Sequence, residues 1–433
     1  MNKLCIKIFF ILIVSYAHVS ANINLIKKEN SGSKTTLLVI AGVHGDEPGS
    51  YFAASILATH YKIKSKNLWI VPNLNKESIK ADSRGINGDM NRKFSFMEVG
   101  DKDKETVGEI KKIILAQNVS LVLNLHDGHG FYRKEDKGNI FNPTAWGQTC
   151  VIDQCKLIQN QPFGNLDTIA SKVRDNVNKN LLQEHHSFNV RNTNTKYDDE
   201  AMKLSLTYFA VTNNKPAFAI ESSKNLSSLS QKVFYHLLAV EEFMKVMDIS
   251  YTKDFSLKEE EIGKLINNYG NLAINGNMSL KLNDIKKDLA YVPIKKSNDN
   301  VFDFSNPLGG ISKVNGTYIA YIGNKEITTI KPEYFKMAGS CPKKFNVEID
   351  GKATSIDKSS DFFVNDDFKV VDDKNFRINV IGFVSKNSSN ESGMKINLKS
   401  MNKNFSVDKD NKIFRVEFYK GEEFCCMSMV HFK

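Results

Sequence analysis

The sequence has 433 residues, of which 41% are hydrophobic and 25% are charged, and its formal net charge is +10 at pH 7. These proportions exclude a collagen-like or wholly disordered chain, and the length predicts two or three domains. The positive charge is spread along the chain and comes almost entirely from lysine, since only seven residues are arginine. No basic stripe or nucleic-acid motif accompanies it, so we expect no nucleic-acid partner, although an acidic polymer remains a compatible substrate.

The first predicted element is a targeting segment at residues 1–21. Lys3 and Lys7 form its basic start, residues 8–16 its apolar core, and small residues ending at Ala21 its cleavage site. The apolar core is shorter than the ~20 residues that a membrane-spanning helix needs. We therefore expect cleavage near Ala21, a mature chain without a transmembrane segment, and a secreted or periplasmic location.

Five cysteines remain after this segment, and an oxidising compartment permits disulfides between them. They are Cys150, Cys155, Cys341, Cys425 and Cys426. Proximity in the sequence makes Cys150 and Cys155 the natural pair. Because the count is odd, at least one thiol stays free or pairs between chains.

Residues 36–245 alternate predicted strands and helices, which is typical of an α/β domain. Short apolar runs at 36–41, 68–72, 119–125 and 216–220 predict buried strands. Amphipathic or apolar stretches predict a helix after the first strand and others at 104–117, 166–182 and 229–247. Ligand sites in open α/β sheets gather at the carboxyl ends of the strands. In this chain polar side chains follow the predicted strands at their carboxyl ends, so we expect an enzyme.

The character of the chain changes near residue 249. Short alternating runs separated by Asp-Gly, Asn-Gly and Ser/Asn turns predict strands from there to the end. We divide the chain into a signal peptide at 1–21, a catalytic domain at 22–248, a small β-rich domain at 249–340 and a β-sandwich-like domain at 341–433. Neither β domain contains a motif that carries chemistry.

Two histidines and a glutamate near strand ends are candidate metal ligands. His44 and Glu47 form an H-x-x-E motif in the turn after the first strand, and imidazole with carboxylate suits Zn²⁺ if a third ligand comes from elsewhere. His126 closes the third strand, and His129 in the following loop is a rival. Taken alone, such residues are as often a solvent-exposed pair or a hydrogen-bonded core histidine.

Four further residues are candidates for catalysis and substrate binding. Glu221 ends the fourth strand, where an apolar setting would raise its pKa and suit it to general base and acid work. Arg84, Asn91 and Arg92 share one loop, and a guanidinium can grip a carboxylate or stabilise a developing oxyanion. Taken singly, Glu221 has the plainer interpretation of a charge that favours a helix start. The loop residues, taken singly, have that of solvent-exposed loop charges.

Taken together and in this order, these residues resemble the zinc carboxypeptidase family over residues 36–240. The resemblance implies a mixed sheet flanked by helices and one Zn²⁺ per chain. The zinc ligands would be His44, Glu47 and His126.

The same resemblance implies the roles of the remaining candidates. Glu221 would act as general base toward the attacking water, and Arg84 would polarise the scissile carbonyl. Asn91 and Arg92 would hold the free terminal carboxylate of the substrate, so that only chain ends are cleaved. Trp146 is a further candidate for the substrate pocket, although a core tryptophan is its commoner role; Thr207 and Tyr208 are weaker candidates.

The order of domains resembles one branch of that family, the cell-shape-determining DL-carboxypeptidases of helical Gram-negative bacteria. That resemblance implies a periplasmic hydrolase that trims peptidoglycan stem tripeptides (muramyl tripeptide) to dipeptides. It would release meso-diaminopimelate from the γ-D-glutamyl bond and thereby affect cell shape. The two β domains could bind glycan or cell-wall protein partners, or shield the cleft.

Two alternatives remain open from the sequence. Residues 42–47 also resemble the deacylase branch of the same family, which hydrolyses N-acyl amino acids, although the signal peptide argues against it. A non-catalytic peptidoglycan-binding or scaffold protein is the second alternative, and the intact set of ligand and base residues argues against that one.

Overall fold

The computed structural model describes residues 23–297, 299–385 and 389–433. The targeting segment predicted at 1–21 lies outside these ranges. Within them, no helix has both the length and the apolar character that are needed to cross a bilayer.

The first unit consists of strands β1 to β11 and helices α1 to α8. The strands are Ile26–Lys28, Thr36–Ile40, Tyr61–Ile63, Asn67–Val71, Val119–Gly128, Phe131–Tyr132, Phe141–Asn142, Thr149–Ile152, Asn189–Asn192, Ala217–Ser223 and Tyr251–Lys253. The helices are Pro48–His60, Lys76–Lys80, Lys104–Ile114, Leu166–Val177, Thr195–Asp198, Leu206–Thr212, Leu229–Val246 and Glu259–Ile266.

Seven of these strands form one sheet in the order β1-β4-β2-β5-β10-β8-β9. The central strands β4, β2, β5 and β10 are parallel, whereas β1 and β8 run antiparallel to β4 and β10. Strands β2 and β4 are buried along their whole length, which explains their continuous apolar sequences. The predicted α/β class with a mixed sheet is thus confirmed.

A second, β-rich unit follows and packs on the first. Its strands β12 to β18 are Asn271–Ile274, Met278–Lys281, Asp288–Lys295, Phe302–Phe304, Gly309–Val314, Thr317–Ile322 and Lys325–Phe335. The side chains of Asn73 and Lys80 donate hydrogen bonds across the interface, to Pro307 O (3.1 Å) and Ser312 Oγ (3.0 Å). Helix α8, ahead of these strands, was not among the predicted helices. Only two of its side chains, Ile262 and Ile266, are buried, so its apolar signal is short.

The last unit is a sandwich of two four-stranded sheets, ordered β20-β19-β22-β24 and β21-β26-β25-β23. Its strands β19 to β26 are Lys344–Ile349, Lys352–Asp357, Asp361–Val364, Asp367–Val370, Arg377–Val380, Ile396–Asn397, Ile413–Lys420 and Glu423–Phe432. Phe345 of β19 stacks on Phe418 of β25 with 3.9 Å between ring centroids, so the two sheets share one core. All-β units after the catalytic fold are therefore confirmed.

The predicted pairing of Cys150 with Cys155 is wrong. Cys150 is buried inside the extended strand β8, whereas Cys155 is exposed beyond its end, and both thiols are free. The disulfide instead joins Cys341 to Cys425, which are 84 residues apart in the sequence. The segment before β19 runs beside β26 and brings these two cysteines together.

Candidate active site

The turn that carries His44 and Glu47 is fixed by close backbone contacts. Gly45 N donates a hydrogen bond to Ser83 O at 2.9 Å. A Cβ atom at position 45 would lie 1.9 Å from Ser78 O, so only glycine fits there. Helix α1 begins with a proline immediately after Glu47, which ends the turn sharply. Both side chains are thereby held at the carboxyl end of β2.

His126 and Glu221 come from neighbouring strands of the sheet. They are register partners in the parallel pair β5 and β10, so they lie side by side at the same edge. One pocket is lined by His126 and Glu221 together with His44 and Glu47. The strand-end prediction for these residues therefore matches their placement.

The three predicted metal ligands converge. One donor atom from each of His44, Glu47 and His126 lies within 4.8 Å of the other two. Glu47 Oε1 is 2.8 Å from His44 Nδ1, and Glu47 Oε2 is 2.8 Å from His126 Nδ1. All three residues are at most 3% exposed. Two imidazoles and one carboxylate are a donor set that suits Zn²⁺ and leaves a fourth position open, so the residues fit a metal ion.

Charge interactions among these residues shift their pKa values strongly. Burial alone would lower the pKa of His44, but the carboxylates of Glu47 and Asp89 outweigh it and raise that pKa to about 9. Burial would raise the pKa of Glu47, yet the two histidines hold it well below its usual range. Burial lowers the pKa of His126, which favours the neutral imidazole that a metal ligand requires.

Glu221 differs from Glu47 in its surroundings. Burial first and the charge of Glu47 second raise its pKa well above the usual range. Among the described residues, none forms a hydrogen bond or an ion pair with its carboxylate. A half-buried carboxyl group with a raised pKa and no competing partner is suited to accept and return a proton.

The loop with Arg84, Asn91 and Arg92 is organised by a carboxylate that the sequence analysis did not single out, Asp89. Asp89 accepts hydrogen bonds from Arg84 Nε at 3.0 Å and Nη2 at 2.9 Å, and from Asn91 N at 2.9 Å. The same carboxylate is 2.8 Å from His44 Nε2. In the sequence, the only indication of this role is that Asp89 lies two residues before Asn91. One carboxylate thus contacts Arg84 and Asn91 of the loop as well as His44.

The same loop also contributes Asn91 and Arg92 to the wall of the pocket. Met202 and Thr207 line the same pocket. Asn91 Oδ1 accepts a hydrogen bond from Leu206 N at 3.0 Å, which fixes the loop to the segment with Met202 and Thr207. This bond leaves Asn91 Nδ2 as a donor for a bound group, and Arg92 offers its other guanidinium nitrogens, since Nη1 donates to Asn91 O at 3.1 Å.

Some of the remaining predicted residues line the pocket and others do not. Trp146 lines the pocket, with the Arg191 guanidinium 3.9 Å from its ring centroid. Thr207 also lines the pocket, whereas Tyr208 lies outside its lining. The rival histidine, His129, is exposed at the rim and is not part of the three-residue donor group.

Beneath the site, Asp127 ties three elements together. It accepts hydrogen bonds from Gly49 N of α1 at 2.7 Å and from Ser222 Oγ of β10 at 2.6 Å. His236 Nε2 of α7 is 2.9 Å from the same carboxylate. Asp127 follows His126, so this network holds the strand end that carries His126.

The catalytic and C-terminal parts of the chain each match a known protein family. Residues 1–267 match the catalytic domain of carboxypeptidases controlling helical cell shape, and residues 338–433 match the C-terminal domain of metallo-carboxypeptidases. The chain is also similar to the curated sulfate/thiosulfate import ATP-binding protein of Mesostigma viride, at 26% identity over 187 residues. The matched region covers 42% of this chain and about half (49%) of the length of that relative. The sequence contains no G-x-x-x-x-G-K-[ST] phosphate-binding loop, so this match does not support ATP binding.

Solved structures of the cell shape determinant protein Csd4 from Helicobacter pylori resemble the whole chain. The apo form superposes with a TM-score of 0.88 at 32% identity and covers 95% of this chain and 100% of that one. The mDAP-bound form, described as a D,L-carboxypeptidase, gives a TM-score of 0.89 at 33% identity over 94% and 100% of the two chains. The tripeptide-bound form gives 0.88 at 33% identity, over 95% and 100%. The chain therefore belongs to the family of carboxypeptidases controlling helical cell shape.

Proposed function

We propose that the protein is a zinc-dependent peptidoglycan D,L-carboxypeptidase that releases meso-diaminopimelate from the γ-D-glutamyl bond of muramyl tripeptide. The observation that carries the proposal is the convergence of His44, Glu47 and His126 beside Glu221 in one pocket. The similarity to mDAP- and tripeptide-bound Csd4 supports the substrate class. The family match selects this activity over the N-acyl amino acid deacylase and the binding module.

His44, Glu47 and His126 would hold the zinc ion. When bound, such an ion supplies Lewis-acid chemistry, since it polarises a carbonyl oxygen and lowers the pKa of a water molecule. Glu221 takes a proton from the attacking water and returns it to the leaving amine, a task for which its raised pKa suits it.

Binding of the substrate relies on the arginines of the pocket. Arg84 places its guanidinium beside the ligand group, 3.4 Å from Glu47 Oε1, where it stabilises negative charge that develops on the carbonyl oxygen. Asn91 and Arg92 bind the free terminal carboxylate, and Trp146 lines the wall that faces the substrate. Because only a chain end presents such a carboxylate, these residues restrict cleavage to the terminal residue.

We further propose a signal peptide at 1–21, three domains of which the last is 341–433, and action in the periplasm. The first boundary, expected between 248 and 249, is drawn instead after α8, because β11 pairs with β3 and Ser228 Oγ at the start of α7 donates a hydrogen bond to Glu259 of α8. The family match implies action on the cell wall, and the basic, apolar and small-residue order of the first 21 residues supports export. The two β units are the proposed contact surfaces for cell-wall proteins.

The test is mass-resolved digestion of purified muropeptides with the mature protein, with and without a chelator. We expect loss of meso-diaminopimelate from the tripeptide, abolished by the chelator and restored by zinc. Intact tripeptide after incubation with protein that holds stoichiometric zinc would contradict the proposal.

A further inference from the structure

We propose that Lys93 is a positioning residue, which holds Asn91 and Arg92 in the geometry that binds the terminal carboxylate of the substrate. This inference rests on the proposed function, in which those two residues bind that carboxylate. Lys93 follows Arg92 in the chain but is not among the residues that line the pocket. It would therefore act only through its two neighbours and touch neither the substrate nor the metal.

Three oxygen atoms surround the ammonium group of Lys93, and we call this arrangement the Lys93 cage. The Nζ atom donates hydrogen bonds to Asn87 O at 2.7 Å, to Asp101 Oδ1 at 2.9 Å and to Asp103 Oδ2 at 2.8 Å. Lys93 is 9% exposed. An ammonium group has three donors, and the cage uses all three. Lys93 has no donor left for a substrate, so its contribution must come from the position of the loop.

The Lys93 cage ties the loop at 84–93 to the start of helix α3. Asp103 immediately precedes α3, and its Oδ1 accepts a second hydrogen bond from the loop, from Asn87 Nδ2 at 2.9 Å. The loop is thus attached to α3 at two places, through Asn87 and through Lys93. A helix that is packed into the core gives these two contacts a rigid base.

The residues that bind the carboxylate lie directly beside this attachment. They belong to the single-turn 3₁₀ helix Met90–Arg92, and Lys93 is the next residue. After Lys93 the chain is anchored again, because Phe94 N donates a hydrogen bond to Leu204 O at 2.9 Å. Loss of the cage would remove the contact next to Arg92, and a displacement of about 1 Å is enough to weaken the binding of a positioned group severely.

The charges of the cage make the ammonium hard to replace. Asp101 and Asp103 are largely buried, with side chains that are 13% and 7% exposed. Both carboxylates contact the same nitrogen atom, so removal of Lys93 would leave two neighbouring carboxylates without a counter-charge. A buried charge that has lost its partner is costly. We therefore expect the loop to shift toward solvent until water reaches these carboxylates, and Arg92 to shift with it.

The test measures steady-state kinetics of the mature, zinc-bound protein on two synthetic substrates, L-Ala-γ-D-Glu-meso-diaminopimelate and the same tripeptide with an amidated C-terminus. Lys93→Met should raise KM for the acid about tenfold and change kcat less than about twofold, since only the binding of the carboxylate is impaired. Its rate on the amide should stay at the wild-type value. The preference for the acid over the amide should therefore shrink about tenfold, with wild-type zinc content.

A second cage variant and a matched control accompany this measurement. Asp101→Asn keeps an oxygen atom in the cage and removes one charge, so it should raise KM in the same direction by a smaller factor. It decides the question if Lys93→Met does not fold. Lys253→Met is the control, because Lys253 Nζ lies 2.6 Å from Glu241 Oε1 in another largely buried pair, outside the pocket lining. It should lower the Tm and keep the wild-type KM and preference.

Two results would overturn the inference and leave the proposed function standing. One is a wild-type KM and a wild-type preference for the acid in the folded cage variants. The other is an equal fall in the rates on the acid and the amide, which is the signature of a general loss of structure. If zinc-bound wild-type protein releases diaminopimelate from neither substrate, the proposed function fails, and this inference fails with it.

Discussion

His126 and Glu221 stand next to each other as register partners at the carboxyl ends of strands β5 and β10. Asp127 and Ser222, the next pair in the register, are hydrogen-bonded to each other at 2.6 Å. Asp127 also bonds to Gly49 N of helix α1 and lies 2.9 Å from His236 Nε2 of α7, while His126 Nδ1 lies 2.8 Å from Glu47 Oε2. One register thus fixes both the neighbouring positions of His126 and Glu221 and the hydrogen bonding of the residues that follow them.

The first prediction concerns Glu221. Glu221→Gln should keep wild-type zinc content and lose about two to four powers of ten in kcat, because an amide cannot accept the proton of the attacking water. Rate assays on the tripeptide together with metal analysis of the same samples check this. Turnover near the wild-type level in the variant would remove Glu221 from its proposed role.

The second prediction concerns the terminal carboxylate. Arg92→Ala should raise KM for the tripeptide about tenfold or more, since it removes charged hydrogen bonds to that group. Arg174→Ala is the control, because Arg174 pairs with Asp175 on the surface of α4. A tripeptide with an amidated C-terminus should be a poor substrate for wild-type protein and no worse for Arg92→Ala. If wild-type protein cleaves that amide as readily as the acid, the carboxylate does not bind there.

The sequence predicted the features that depend on neighbouring residues along the chain. Continuous apolar runs in the sequence indicated the buried strands β2, β4, β5 and β10. Because these strands are parallel, the residues at their carboxyl ends, His44, His126 and Glu221, lie at one edge of the sheet. The strand ends predicted only that these side chains gather at one edge, and the resemblance to zinc carboxypeptidases then implied which of them bind the metal.

Features that depend on contacts between distant segments were missed or wrong. The contact between Asp89 and His44 forms only because the loop that carries Asp89 packs against the turn that carries His44. The partner of Cys341 lies 84 residues away on another strand, where spacing gives no signal. In each case tertiary packing selects the partner.

The third prediction concerns Asp89 as a support for a metal ligand. Asp89→Asn should weaken zinc binding about ten- to a hundredfold, because a carboxylate that holds the second nitrogen of a ligating histidine fixes its orientation and basicity. Competition with a chromophoric chelator measures this independently of activity. Asp175→Asn, on the surface of α4, should bind zinc as wild-type protein does. Equal affinity in Asp89→Asn and wild-type protein would contradict the role.

The last prediction concerns pH and the buried carboxyl group of Asp153. Asp153 is 2% exposed and accepts a hydrogen bond from Thr195 Oγ1, and burial raises its pKa to about 6. The unfolded chain has a pKa near ~3.9 for this group. The folded state therefore favours the protonated form, and the stability that this preference contributes is complete below about pH 4 and is lost as the pH rises through about 6.

Asp153→Asn keeps an acceptor for Thr195 but removes the ionisation. The Tm of the variant relative to wild-type protein should therefore rise between about pH 4 and pH 6 and stay constant above. The corresponding change in the relative free energy of unfolding is roughly 3 kcal/mol at most for a pKa shift of this size. Thermal unfolding of both proteins across this interval measures the difference directly. A difference in Tm that stays the same from pH 4 to pH 7 would mean that Asp153 has an ordinary pKa in the fold, and that its burial is compensated by hydrogen bonds to the ionised form.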